Sequence, residues 1–319
     1  PIVGDSGMIR IYDAMSHQIV DSLDLSIPSG PTESRTYGPE CDYTKIPYDY
    51  TRTHMPTNRD TRPGTPSGTA EPTPPDYQLN IIGGFTDAFH FHPIIVRDST
   101  ATIYLHNNML DYNHSYYVTI DEGVLTLPDH SFHGISKEHN WSFKTKDSAP
   151  TSTDTLIVDA NGQGDFNTVQ GALDFIPDFS QKQTVILIQA GDYEELVYAR
   201  NKTNVKIKGA GMDRTRVHYA NNEVFNPHPL TVKTNEWPGT FPSRRAAFML
   251  DNCSDILLED LTIATDLHGQ AEGLLLNGER IALYSVHIIG SGDALQANGT
   301  IYMESCELDG GGDTILGRG

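Results

Sequence analysis

Apolar and polar positions follow two different rhythms along this chain of 319 residues. Over about the first 147 residues they alternate in short runs: MIRIYD (Met8 to Asp13), TATIYL (Thr100 to Leu105), SYYVTID (Ser115 to Asp121) and WSFKTK (Trp141 to Lys146). A period of two buries one face of a strand and wets the other, as in antiparallel sheets. The pattern predicts a small β-sandwich. Between about Ser29 and Asp76 a stretch rich in Pro, Thr, Asp and Arg, including RPGTPSGTAEPTPPD, has too few apolar side chains to offset its own ordering. It reads as a long loop, or as a segment ordered only against a neighbour. KDSAPTSTD (Lys146 to Asp154) is small, polar and broken by one Pro, as linkers are. The predicted division is a sandwich over 1–147, a linker over 148–154 and a second domain over 155–319.

The second rhythm opens with TLIVDANGQGDFNTVQGALDFIPD, a strand, a turn and a short amphipathic helix. Val169, Leu173 and Ile176 fall on one helical face, and Pro177 stops the helix. TVILIQAGDYEE is an apolar strand followed by a turn, and NVKIKGAG a short alternating strand. Beyond Arg245 the chain repeats itself. DILLEDLTIAT, RIALYSVHIIG and TIYMESCELDG start at Asp255, Arg280 and Thr300 and align column by column. Ile256, Ile281 and Ile301 form one column, and Leu258, Leu283 and Met303 the next. Leu261, Val286 and Cys306 form a third, and Ile263, Ile288 and Leu308 a fourth. A repeat of about 20 to 25 residues with constant inward columns marks a parallel β-helix; a propeller blade needs about twice that period. Cys306, in an apolar column, reads as a core thiol rather than a nucleophile.

Charge narrows the partners. The chain carries 22 Lys and Arg against 42 Asp and Glu, a formal net charge of −20. Nucleic acid and anionic membrane surfaces demand a basic footprint and are disfavoured. No apolar run approaches the ~18 residues that span a bilayer, so membrane insertion is not expected. The chain begins with Pro1 and shows no signal peptide, as a mature or engineered form would. The 3 cysteines, Cys41, Cys253 and Cys306, are too few for a disulfide framework or a zinc site. His90 and His92 share one strand face, but without a third ligand they do not make a metal site. No cofactor is expected.

The candidate chemistry lies near the end. Asp293 in GSGD and Asp313 in GGGD follow glycines at equivalent places on successive coils. Stacked coils are about 4.8 Å apart. Two carboxylates that close do not both ionise cheaply, which gives one acid beside one base or nucleophile. Two other readings stay open: turn aspartates capping backbone N–H groups, and a calcium site. Arg244 and Arg245 in SRRAAF form an isolated basic pair, placed either to meet a carboxylate or in a solvated turn. The irregular segment from Val217 to Thr240, with Tyr219, Phe225, His228 and Trp237, reads either as a groove wall that stacks on sugar rings or as loop packing.

These residues resemble the pectin methylesterase (pectinesterase) family. VDANGQGDFNTVQGALDFIP looks like the family's opening segment with its TVQ-type helix, and ILIQAGDYEELV like its next strand and G-x-Y-x-E turn. QAEGLLLNGERIALYSVHIIGSGDAL resembles the stretch from Q-A-x-x-L to Q-D-T-L, and GGGDTILG the G-x-x-D-F-I-F-G motif. The resemblance implies a right-handed parallel β-helix and hydrolysis of methyl esters on galacturonate in pectin. Asp313 would be the nucleophile, Asp293 the acid and base, and Gln270 an oxyanion donor. Arg244, Arg245, Trp237 and His268 are the candidates for holding substrate. Gly292 stands where the family has a second glutamine, with Gln296 and His268 near it in sequence.

The family's β-helix continues past this point and supplies an arginine for the nucleophile and a tryptophan for the sugar. Arg318, so near Asp313, is not that arginine. The expectation is therefore a piece of a longer protein, whose remaining C-terminal coils complete the site. Residues 1–147 resemble bacterial immunoglobulin-like domains through YYVTID and WSFKT. A pectin substrate implies an extracytoplasmic location. The rival readings are a calcium-dependent pectate lyase-like β-helix and a non-catalytic pectin-binding protein.

Overall fold

The computed structural model describes residues 1–27, 29, 78–85, 89–139, 141–222, 225, 226 and 243–318. The Pro/Thr-rich stretch from Gly30 to Asp76, with Cys41, and both His228 and Trp237 lie outside the described residues. The chain divides into one unit of residues 1–30, 73–80 and 89–149 and another of 31–72, 81–88 and 150–319.

The first unit is all β among its described residues, apart from one 3-10 turn. Met8–Asp13 pairs with Ile19–Asp24 on one side and Ser115–Ile120 on the other, and Ser142–Lys144 pairs with Ser115–Ile120; all three pairings are antiparallel. The alternation does what the sequence demanded. Ile9, Ile11, Tyr116, Val118 and Ile120 point into one core, and Ile94 from the hairpin Ile94–Arg97 with Thr100–Ile103 packs against it.

The second unit is a parallel β-helix. The strand Phe248–Thr265 is nearly a whole coil. Its start pairs with Val197–Arg200, its middle with Thr203–Lys208 and its end with Thr215–Tyr219, always in parallel. Leu274–Ile289 repeats that path one layer on. Leu295–Glu304, Glu307–Asp309 and Ile315–Arg318 follow. Three of the expected inward columns are observed in full: Ile256–Ile281–Ile301, Leu258–Leu283–Met303 and Ile263–Ile288–Leu308. Cys306 packs against the same core. Val217 and Tyr219, expected in an irregular insertion, belong to the strand Thr215–Tyr219.

Two bends per coil are made by residues in the left-handed region. Asn201 and Asn252 mark one; Asn204, Asp255 and Arg280 flank it; Asp260, Ser285 and Ser305 mark the other, all with φ between 53° and 62°. Short polar side chains tolerate that region best. Arg280 is the exception, and it forms a bidentate pair with Asp255 at 2.7 Å. The third corner is different. It is made by whole segments, residues 266–273, 290–294 and 310–314, of which the first is the longest.

The helix Val169–Phe175 closes one end of the core, with Val169, Leu173 and Ile176 buried as expected. Its first N–H groups need partners. Thr168, the N-cap, accepts from Gly171, while Glu195 accepts from Val169 at 2.7 Å and from Gln170 at 2.9 Å. The Gln170 amide then pairs with both backbone groups of Tyr198. The threonine, valine and glutamine of TVQ and the glutamate of the G-x-Y-x-E turn thus act as one joint between helix and first coils.

Candidate active site

The third corner carries the candidate chemistry. Leu274, Leu295 and Ile315 stack in register. The residues two places before them therefore occupy equivalent positions: Glu272, Asp293 and Asp313, one carboxylate per coil. Asp313 is exposed and Asp293 is 8% exposed. Asp293 Oδ1 accepts the backbone N–H of Asp313 at 3.0 Å. This is the capping bond expected of a turn aspartate, and it engages one oxygen only.

The glycines are there because the turns approach one another closely. A Cβ at Gly312 would lie 2.7 Å from the carbonyl of Gly292 and 3.3 Å from Asp293 Oδ1. A Cβ at Gly290 would lie 1.7 Å from the carbonyl of Asp293. None of the five glycines in these two turns has a left-handed φ.

Arg245 gathers the other groups. Its Nε and Nη2 each lie 2.6 Å from Glu272 Oε1, and its Nη1 donates to Gln270 Oε1 at 3.5 Å. Its Nη2 is 3.8 Å from Asp293 Oδ2. Glu272 is fully buried, and its Oε2 has no hydrogen-bond partner. Burial pushes the Glu272 carboxyl above the usual range, the Arg245 charge and hydrogen bonds oppose this, and the nearby Asp293 adds to it. Arg245 was expected to face solvent or substrate; instead it is tied to a glutamate.

The other candidates are dispersed. Arg244 is buried, and its carbonyl accepts from Asn221 at 2.9 Å. His268 is exposed, with Nδ1 3.5 Å from Ser291 Oγ on the next coil. Gln296 is 4% exposed, and its Oε1 has no hydrogen-bond partner. Tyr219, on its strand, and Phe225 are both buried, so packing accounts for them. Trp237 is outside the described residues. His90 is buried, and burial lowers the His92 pKa to about 4.

Among the described residues one group has the spacing of cation ligands: Glu194, His218 and Asp266, with ligand atoms within 4.8 Å of one another. His218 Nδ1 is already 2.5 Å from Asp266 Oδ2, and Nε2 is 3.2 Å from Asp192 Oδ1. Arg216 reaches the other Asp266 oxygen at 3.0 Å. Burial works to lower the His218 pKa, but the hydrogen bond and charge of Asp266 outweigh it and the pKa is raised. His218 Nδ1 is thus already engaged by Asp266, while its buried Nε2 makes no hydrogen bond of normal geometry.

Glu272 carried no motif of its own. It could have been found by extending the coil alignment one step back from Asp293, through Leu295 to Leu274.

A carboxylate that can reach solvent, a second one just behind it and a primary amide on the same corner can support acyl transfer. Comparison with known proteins agrees in class. The family model described as Pectinesterase matches residues 155–319. "Probable pectinesterase 8" of Arabidopsis thaliana is 29% identical over 178 residues, covering 54% of this chain and 44% of that protein. "Pectinesterase QRT1" of the same plant is 28% identical over 197 residues, covering 58% and 50%. The chain thus spans about half the length of these curated relatives. Among solved structures, the pectin methylesterase from Aspergillus niger aligns with a TM-score of 0.42 at 20% identity, over 53% of this chain and 54% of that one. The carrot pectin methylesterase aligns at 0.36 and 23%, over 49% and 47%. The family match covers just over half of the chain and takes in every coil described above, so this chain belongs to the pectinesterase family.

Proposed function

We propose that the β-helix hydrolyses methyl esters of galacturonate residues in pectin, with Asp313 as nucleophile, Asp293 as acid and base, and Gln270 as an oxyanion donor. The observation that carries this reading is the stacked pair itself: an exposed Asp313 whose N–H is fixed on Asp293 Oδ1 at 3.0 Å. An Asp313 oxygen attacks the ester carbonyl carbon. Asp293 gives its proton to the departing methoxide, which leaves as methanol, and an acyl anhydride to Asp313 remains. Asp293 then takes a proton from water, the hydroxide attacks the acyl carbon, and Asp313 leaves as a carboxylate. A Gln270 N–H stabilises the oxyanion formed in each half.

The low positive charge of the chain suits a substrate whose carboxylates are still esterified. The first unit is read as an immunoglobulin-like spacer, supported by its antiparallel sheet with an alternating buried face. The substrate implies an extracytoplasmic location. The expectation of a bacterial source gains no support, since the relatives named above are plant proteins.

The test is methanol release from highly methylated pectin by wild type, Asp313→Ala and Asp293→Ala, with and without EDTA. Release that ignores EDTA and is lost in both variants is expected. A folded wild type that releases no methanol, or a calcium-dependent unsaturated product, would overturn the esterase reading.

A further inference from the structure

The corner holds three carboxylates in a column, and only one cation among the described residues is in contact with two of them. Arg245 sits behind the catalytic pair, two coils before Asp293, with its side chain 18% exposed. Glu272 fixes it with two contacts at 2.6 Å to a single oxygen. A guanidinium held this way has its remaining donors aimed by geometry, not by chance. One of them meets Gln270 Oε1. The orientation of Gln270 follows from chemistry: its NH2 group against a guanidinium would set donor against donor, so the oxygen turns inward and both N–H bonds are left for the groove. Nη2, one of the two nitrogens on Glu272, also faces Asp293 Oδ2 at 3.8 Å.

We propose that Arg245 is a positioning residue for the ester hydrolysis, clamped by Glu272 so that it presents the Gln270 amide to the reacting carbonyl and keeps a fixed positive charge beside Asp293. This rests on the esterase reading above. Glu272 is the counter-ion that holds the arginine and touches no substrate. Without Arg245, Glu272 would be a buried carboxylate near another carboxylate.

The experiment separates positioning from mere support of the fold. Arg245→Met, Arg245→Lys, Glu272→Gln and the double variant Arg245→Met with Glu272→Met are compared by kcat, KM and Tm. Removing one partner strands the other, whereas removing both relieves the buried charge. Arg245→Met is expected to lower kcat by about 10- to 100-fold with KM changed less than about threefold. The double variant is expected to regain Tm without regaining kcat. Lysine keeps the charge but not the fork, so Arg245→Lys is expected to fall between wild type and Arg245→Met. A second readout needs no turnover: 15N relaxation of the Gln270 side-chain amide, assigned with Gln270→Ala, should show an ordered group in wild type and a mobile one in Arg245→Met and in the double variant. Recovery of kcat together with Tm in the double variant, or a Gln270 amide equally rigid without Arg245, would overturn the proposal. If wild type releases no methanol, the esterase reading falls, and the relaxation data alone decide whether Arg245 orients Gln270.

Discussion

Glu195 gives the fold a pH dependence whose size follows from its surroundings. It is buried beneath the start of the helix Val169–Phe175, with both oxygens taking backbone N–H groups at 2.7 and 2.9 Å. Burial raises its pKa from 4.5 to about 7 against the pull of those two bonds, and the nearby Asp174 adds to the rise. Below pH 4.5 the folded and unfolded chains both hold the proton. Between 4.5 and about 7 only the folded chain holds it, so unfolding releases a proton and stability falls as pH rises. Above the folded pKa both states are ionised and this contribution is fully lost. At about 1.4 kcal/mol per pH unit, the interval amounts to about 3 kcal/mol. Glu195→Gln cannot titrate and serves as the reference. Urea denaturation of wild type and variant at pH 5, 6, 7 and 8 gives the stability gap at each pH. Wild type should lose about 3 kcal/mol relative to the variant between pH 5 and 8. A constant gap would refute the reasoning. A gap that moves in favour of wild type would mean that the N–H bonds to the carboxylate outweigh its burial.

Two further outcomes follow from packing. Leu283 is fully buried in the column Leu258–Leu283–Met303, so Leu283→Ala should cost about 2–5 kcal/mol in a denaturant titration with an unchanged m-value; a loss below 1 kcal/mol would mean that the coils relax around the gap. Gly292→Gln restores the residue that the family pattern has before its first aspartate, but a Cβ there would lie 2.9 Å from the carbonyl of Gly269 and 3.3 Å from Gln270 Cα. That variant should release methanol about tenfold more slowly than wild type, because the turn must shift; faster release would show that the turn can accept the side chain.

Most of the β-helix was legible because its signal is periodic. A coil that stacks on its neighbour must place apolar residues at the same inward positions, and Ile256, Ile281 and Ile301 do so in the bare sequence and in the sheet. The two aspartates were legible because closely stacked turns demand glycines, and those glycines frame them. Glu272 was not, because its turn reads QAEG, without the run of glycines, and its corner is longer than the next one. Arg245 was seen, but its direction was not, since that depends on a partner on the next coil that carried no motif. Tyr219 went astray for a simpler reason: its strand ends where a long segment begins, and a sequence rich in polar residues hides the last strand positions before it. In the first unit the alternating runs gave the strands, while the strand pairing depends on turns that no period encodes.

The third corner bears on how such a protein can change over generations. Residues 266–273 and 290–294 differ in length, yet the columns on either side keep their register. Insertions and deletions at that corner therefore leave the stacked interior untouched, whereas one residue gained within a strand would swing every following side chain to the opposite face. The same corner holds Gln270, Asp293 and Asp313. Lineages can accordingly graft new walls around an unchanged pair of aspartates, and diversification should be concentrated where the chemistry is, with the scaffold inherited almost unedited.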